Sequence, residues 1–235
     1  MIHFRGVSFS YERRQPPILA GVDLDLPAGL TLLVGPNGCG KSTLLKLAAG
    51  IDQPDAGHVE VNGHDLWQAE VAARASLAFV PEQPDLTPYA TIAEILALVC
   101  RLRGEPAAAA GAALALAGLE SLAHRSIRQL SMGQRRRAVL AAALIGKPSC
   151  LLLDEPLEAM DRAARAAILA WLAERRAAGA LLLVASHDLD PFLDLAARAL
   201  TVRHGRCRLV DPLPADPAAR AALLESLARG APDAP

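Results

Sequence analysis

The stretch Gly35-Pro36-Asn37-Gly38-Cys39-Gly40-Lys41-Ser42-Thr43 follows directly on the apolar run Leu30-Thr31-Leu32-Leu33-Val34, and this junction decides the fold class. Its spacing, Gly35, four residues, then Gly40-Lys41-Ser42, is that of a phosphate-cradling loop set between a strand and a helix. Glycines at 35, 38 and 40 allow positive φ and let backbone amides approach phosphate oxygens that a Cβ would obstruct. The helix expected from Lys41 to Ala49 points unpaired amides and the positive end of its dipole at an anion. Lys41 supplies a mobile positive charge for β- and γ-phosphates, and the Ser42 hydroxyl is placed to ligate Mg²⁺. Pro36, Asn37 and Thr43 complete the cradle. Cys39 fills a free position of the pattern and reads as a small filler, not a nucleophile.

Working outward, the first 30 residues alternate in period two (Ile2, Phe4, Val7, Phe9, then Val22, Leu24, Leu26), which predicts antiparallel strands joined across Pro16-Pro17. A further short strand is expected at His58 to Val61, closed by the Asn62-Gly63 turn. Leu77 to Val80, Cys150 to Leu153 and Leu181 to Val184 are continuous apolar runs that, with Leu30 to Val34, suit strands buried on both faces of a parallel sheet. From Thr91 to Gly146 the period becomes helical, with Ile92, Ile95, Leu96 and Val99 on one face. The expected organisation is one domain over 1–210, with a helical subdomain inserted at about 84–146, and a tail over 211–235 that holds one helix.

Composition narrows the classes. Twenty-four basic and 25 acidic side chains leave a net charge of −1, so no nucleic-acid partner is expected. Much of the hydrophobic content of 52% is alanine. The uncharged, alanine-rich segment Pro106 to Leu119 falls short of the roughly 18 apolar residues a membrane span needs. Cysteines 39, 100, 150 and 207 form no CxxC pair, which argues against a zinc site or a disulfide framework. The opening Ile2-His3-Phe4-Arg5 carries no basic-then-apolar leader, so the cytosol is the expected compartment.

A phosphate loop alone admits kinases, GTPases, helicases and transport ATPases; residues downstream decide. Leu151-Leu152-Leu153-Asp154-Glu155-Pro156 delivers two carboxylates at the carboxyl end of a buried strand, where ligands gather in open α/β sheets. Side chains alternate along extended backbone, so one carboxylate can hold Mg²⁺ through water while the other faces an attacking water. Leu130-Ser131-Met132-Gly133-Gln134 opens a helix that continues Arg135-Arg136-Arg137. A serine at that start is either an ordinary N-cap or part of a second anion site.

In order and spacing, Tyr11, the loop at 35–43, Glu82-Gln83, Leu130 to Gln134, Asp154-Glu155, Asp161 and His187 together resemble the nucleotide-binding subunit of ATP-binding cassette (ABC) transporters. The resemblance covers residues 2–210 and implies a RecA-like P-loop NTPase core of α/β class, with an antiparallel β subdomain and a helical insertion. It implies that Tyr11 stacks on adenine, that Gln83 or Glu82 senses Mg²⁺ and faces the membrane partner, and that Ser131, Gly133 and Gln134 close over the γ-phosphate held by a second protomer. Asp161 would link the two sites, His187 would contact the γ-phosphate, and Glu155 would activate the water. Met132 replaces the commoner glycine, and Leu157-Glu158-Ala159-Met160 departs from the family's small-residue run. The implied cofactors are ATP and Mg²⁺. The implied partners are a second copy and integral membrane permease subunits at the cytoplasmic face of the inner membrane. The wording around Pro81 to Pro84 and Leu102-Arg103-Gly104 resembles exporter-type cassettes. The alternatives are a cytosolic ABC ATPase without a transporter and a regulatory module of low turnover.

Overall fold

The computed structural model describes residues 1–12, 16–83 and 86–230. Two sheets divide the work. β1 (Ile2–Phe9), β2 (Leu19–Leu26), β3 (Gly29–Val34), α1 (Lys41–Ala48), β4 (Ala56–Val61) and β5 (His64–Asp65) come first along the chain. β1 pairs antiparallel with β2 and with β4, and β4 turns into β5 through Asn62 and Gly63, both at positive φ, as the Asn-Gly signal predicts. The result is a sheet of order β2-β1-β4-β5, buried on one face only, which is why its strands alternate.

The second sheet carries the site. After α2 (Glu70–Ala75), β6 (Leu77–Val80) begins it, and β7 (Cys150–Asp154), β8 (Leu181–Ala185), β9 (Ala196–Arg203) and β10 (Arg206–Val210) follow later in the chain. The order is β10-β9-β3-β8-β7-β6, parallel from β9 to β6, with β10 antiparallel at the edge. Every residue of β7 and β8 is buried, since apolar layers cover both faces. Full burial of each such leucine is worth ~1.5–3 kcal/mol, and this is what the uninterrupted apolar runs encode. α6 (Arg162–Ala177) and α7 (Pro217–Ala228) contribute to the layer on one face, and α1 packs on the other.

The segment between β6 and β7 is helical, as its period predicts: α3 (Ile92–Arg103), α4 (Ala108–Ala117) and α5 (Met132–Leu144). These helices enclose their own apolar cluster around Ile92, Leu96, Leu114 and Ile127. α5 belongs to two cores at once: Ala138 and Ala141 face this cluster, whereas Leu140 and Ala143 pack against the parallel sheet. It is the mechanical joint between subdomain and core. Among the described residues, no helix is long and apolar enough to cross a membrane.

Two features differ from the sequence expectation. β9 and β10 complete the sheet in a stretch rich in alanine and arginine, where intrinsic strand preference is weak. The expected tail packs tightly: Leu213, Leu224 and Leu227 join the cluster that includes Phe192, and Gly230 reaches Pro36 of the phosphate loop.

Candidate active site

The carboxyl ends of β3, β7 and β8 open on one cleft of about 910 Å³. Its wall includes Tyr11, the loop residues Gly35 to Gly38 and Gly40 to Thr43, Glu82, Asp154, Glu155, Glu158, Ser186 and His187. Residues separated by more than 140 positions meet here because parallel strands all present the same end.

The loop behaves as its composition requires. Gly40 caps α1 at φ 111°, a left-handed conformation, and no side chain caps the helix, so its first amides remain available. A Cβ on Gly35, at φ 148°, would lie 2.9 Å from Cys39 Sγ, so the turn needs glycine there. Cys39 is half-buried and packs on the apolar core, the filler role assigned to it. Lys41 Nζ donates to the carbonyls of Gly35 (2.8 Å) and Pro36 (3.2 Å), which holds the ammonium inside the loop. Tyr11 lies beyond the end of β1, 56% exposed, its ring edge-on to Phe9 at 5.0 Å. That exposure at the rim suits a stacking surface and rules out a strand-core role.

Asp154, the last residue of β7, is 5% exposed. Burial pushes its carboxyl above the ordinary range, while a hydrogen bond with Ser42 and the nearby Lys41 ammonium oppose that, and Glu82 and Glu155 add to it. The paired Ser42 and Asp154 oxygens fit a hard divalent cation that takes its other ligands from phosphate and water. No cluster of three or more His, Cys, Asp or Glu able to hold a metal occurs among the described residues, so such a cation would depend on the nucleotide's own oxygens.

Glu155 follows at φ 50°, left-handed for a residue that carries a Cβ. Such a conformation costs on the order of 1–3 kcal/mol and persists where surroundings impose it. Here the Glu155 amide donates to Ala185 O (2.9 Å), the His187 amide donates to Glu155 Oε1 (2.9 Å) and Ser186 Oγ donates to Oε2 (3.1 Å). His187 Nδ1 also stands 2.9 Å from Oε2. The hydrogen bond and the charge of Glu155 raise the imidazole above its ordinary value, against a small opposing effect of burial. Base and histidine are thus one coupled unit at the cleft.

Several expected residues lie elsewhere. Of the pair left open at 82 and 83, Glu82 is in the cleft wall, whereas Gln83 is exposed and does not border it. Ser131 and Gln134 form a capping box at the start of α5: Ser131 Oγ accepts from the Gln134 amide (3.3 Å), and Gln134 Oε1 accepts from the Ser131 amide (2.9 Å). Asp161 caps α6 by accepting from the Ala164 amide (2.9 Å). Neither Ser131, Gly133, Gln134 nor Asp161 borders this protomer's cleft. Glu158 and Ser186 do, and neither was singled out by sequence.

A second cavity of about 520 Å³ lies on the outer side of the loop, between Thr201 to Arg208 and the end of α7. It shares Gly35 to Gly38 with the first and contains none of the acidic residues.

Comparison with known proteins agrees with this geometry. The family model described as ABC transporter matches residues 19–158. The taurine import ATP-binding protein TauB of Pseudomonas aeruginosa is 37% identical over 229 residues, 94% of this chain and 86% of that protein. The sulfate/thiosulfate import ATP-binding protein CysA of Burkholderia mallei is 40% identical over 205 residues, 82% of this chain and 57% of that longer protein. Among solved structures, the dimeric post-hydrolysis state of the ATP-binding cassette MJ0796 bound to ADP and Pi superposes with a TM-score of 0.78 and 25% identity, over 90% of this chain and 98% of that one. The two sequence relatives are import proteins by name, and they leave the expectation of an exporter-type cassette unconfirmed. With the family's loop, paired carboxylates and histidine gathered on one cleft, this chain belongs to the ABC transporter family, as one of its ATP-binding subunits.

Proposed function

We propose that two copies of this chain hydrolyse ATP between them and drive transport through separate membrane subunits. The carrying observation is the split between cleft and cap. Lys41, Ser42, Asp154, Glu155 and His187 converge on one cleft, whereas Ser131 and its exposed neighbour Met132, at the start of α5, do not border it. A second protomer, arranged head to tail, brings that α5 start to the open side of the triphosphate. Its helix amides and the Ser131 hydroxyl then complete the shell that one cleft leaves unfinished.

The α1 amides and Lys41 hold the phosphates, Tyr11 supports the base, and Glu155 accepts the proton of the attacking water. A divalent cation held by Ser42 and Asp154, Mg²⁺ by its oxygen donors, would neutralise charge on the β- and γ-oxygens. Loss of the γ-phosphate removes contacts shared by both copies, and the pair reopens. α5, common to the two cores, carries that motion into the helical subdomain, the surface assigned to permease subunits. The location is the cytoplasmic face of the membrane, peripheral. The likeness to taurine and sulfate import proteins supports uptake, with the solute chosen by the membrane subunit.

The test is ATP-dependent dimerisation of the purified protein, followed by light scattering, together with phosphate release. The parent is expected to dimerise with ATP and release phosphate; Lys41→Ala is expected to do neither. Equal dimer fractions with and without ATP would overturn the proposal.

A further inference from the structure

Glu158 is unexplained by the chemistry above. It occupies the run that departs from the family's small residues, and it lines the nucleotide cleft because the chain after β7 turns twice through left-handed residues, Glu155 and Ala159. The cleft then holds four carboxylates (Glu82, Asp154, Glu155, Glu158) against Lys41 and His187, in a place that must accept a triphosphate. Asp154 and Glu155 have work to do there. A bare charge at 158 would only repel the ligand.

It is not bare. Arg136, five residues after Ser131 on α5, forms an ion pair with Glu158. The arginine side chain is only 11% exposed and its Nε is buried without a partner, so the guanidinium has given up solvent for this one carboxylate. Beside it, the first turn of α5 rests directly on the same loop: a Cβ on Gly133 would lie 2.5 Å from Ala159 O. The contact therefore joins the helical subdomain to the cleft loop at two adjacent points, one steric and one ionic.

We propose that Arg136 is a positioning residue that neutralises Glu158 and holds it away from the terminal phosphate, so that ATP affinity depends on where α5 lies. When the helical subdomain swings away from the core, the pair opens and a negative charge is left facing the triphosphate. When it swings back, the charge is cancelled. Subdomain position and nucleotide retention are thereby linked within a single protomer, in addition to anything the second copy contributes. The inference rests on the cleft being the ATP site.

The test is a double-mutant cycle on the full chain with Arg136→Met, Glu158→Gln and the pair combined, read as dissociation constants for ATP and ADP and as KM and kcat. Arg136→Met is expected to weaken ATP binding about tenfold, or ~1.4 kcal/mol, with a smaller loss for ADP and little change in kcat. Glu158→Gln in the same chain is expected to restore ATP affinity to the parent value. Equal losses for ATP and ADP, or a loss that persists in the double variant, would reduce Arg136 to a packing residue and overturn the proposal. Should Arg136→Met fail to fold, Arg136→Lys keeps the charge and is expected to bind ATP within about twofold of the parent, because the Coulomb effect survives without the guanidinium fork. A tenfold loss in that variant overturns the charge argument. A parent that fails to bind ATP, or binds it equally well with Lys41→Ala, sinks the reading of the cleft itself. A parent that binds normally with a flat cycle sinks only this inference.

Discussion

Replacing Glu155 by glutamine separates chemistry from structure unusually cleanly in this site. The carboxylate accepts from the His187 amide on Oε1 and from Ser186 Oγ on Oε2, and faces His187 Nδ1 on the same oxygen. Glutamine keeps one oxygen, which can retain the His187 amide, and turns its NH₂ toward Ser186 Oγ and a neutral Nδ1, both of which have lone pairs to accept it. Ser186 Oγ can then turn its single proton from Oε2 to Asp188 O, also 3.1 Å away, so no buried polar atom is orphaned. The stability change is therefore expected to stay within about 1 kcal/mol, a melting shift of ~2–4 °C for a domain of this size. ATP affinity is expected to hold or tighten slightly, since a negative charge leaves the cleft while the α1 amides and Lys41 are untouched. Turnover is another matter. Glutamine cannot take a proton from water, and losing a general base costs about 10²–10⁴ in rate, or ~2.7–5.4 kcal/mol of barrier. Single-turnover phosphate release with Mg²⁺, run beside calorimetric ATP titration and thermal melting, measures all three. Hydrolysis within about threefold of the parent would refute the assignment of Glu155 as base. Lost binding or a collapse in melting temperature would refute the claim that its role lies in the chemical step alone.

The His187 titration offers a second check: its midpoint is raised above the ordinary 6.5 by Glu155, so the pair's contribution to stability is complete below 6.5 and is lost as pH rises through the folded midpoint. Two-dimensional NMR should place the midpoint above 6.5 in the parent and lower in Glu155→Gln; a midpoint at or below 6.5 in the parent would contradict the coupling. Phe192, fully buried beneath α7, should cost ~3–5 kcal/mol when cut to alanine, a melting drop of ~6–20 °C, with ATP affinity of the folded fraction unchanged. A loss below 1 kcal/mol in denaturant titration would mean that α7 does not seal that part of the core.

What was legible in the sequence was local or periodic. The phosphate loop is one contiguous pattern whose glycines answer to backbone sterics, and Leu151 to Glu155 announces a buried strand ending in acids. The helical insertion declared itself by its period. β9 and β10 did not, because Ala196 to Arg203 acquires its extended form from pairing with β3, not from its own preference. That Glu82 and not Gln83 lines the cleft turns on the local course of the chain after β6, which no pattern in four residues can specify. Glu158 escaped notice because its position depends on positive φ at Glu155 and Ala159, imposed by neighbours distant in sequence such as Ala185 and Gly133. Ser131 shows the opposite lesson: the ordinary N-cap reading holds in the structure, and the contact with a second protomer's phosphate proposed above is compatible with it, since a residue can cap its own helix and still offer a hydroxyl outward.

The docking of α7 has a practical corollary. Its last turn brings Ala228 to the rim of the nucleotide cleft and Gly230 against Pro36. Anything fused after Gly230, a purification handle or a fluorescent reporter, sets out beside the cleft proposed above as the ATP site and as the face a second copy covers. Such fusions would report a crippled ATPase from an intact polypeptide, whereas handles placed ahead of β1, on the far sheet, leave that cleft clear.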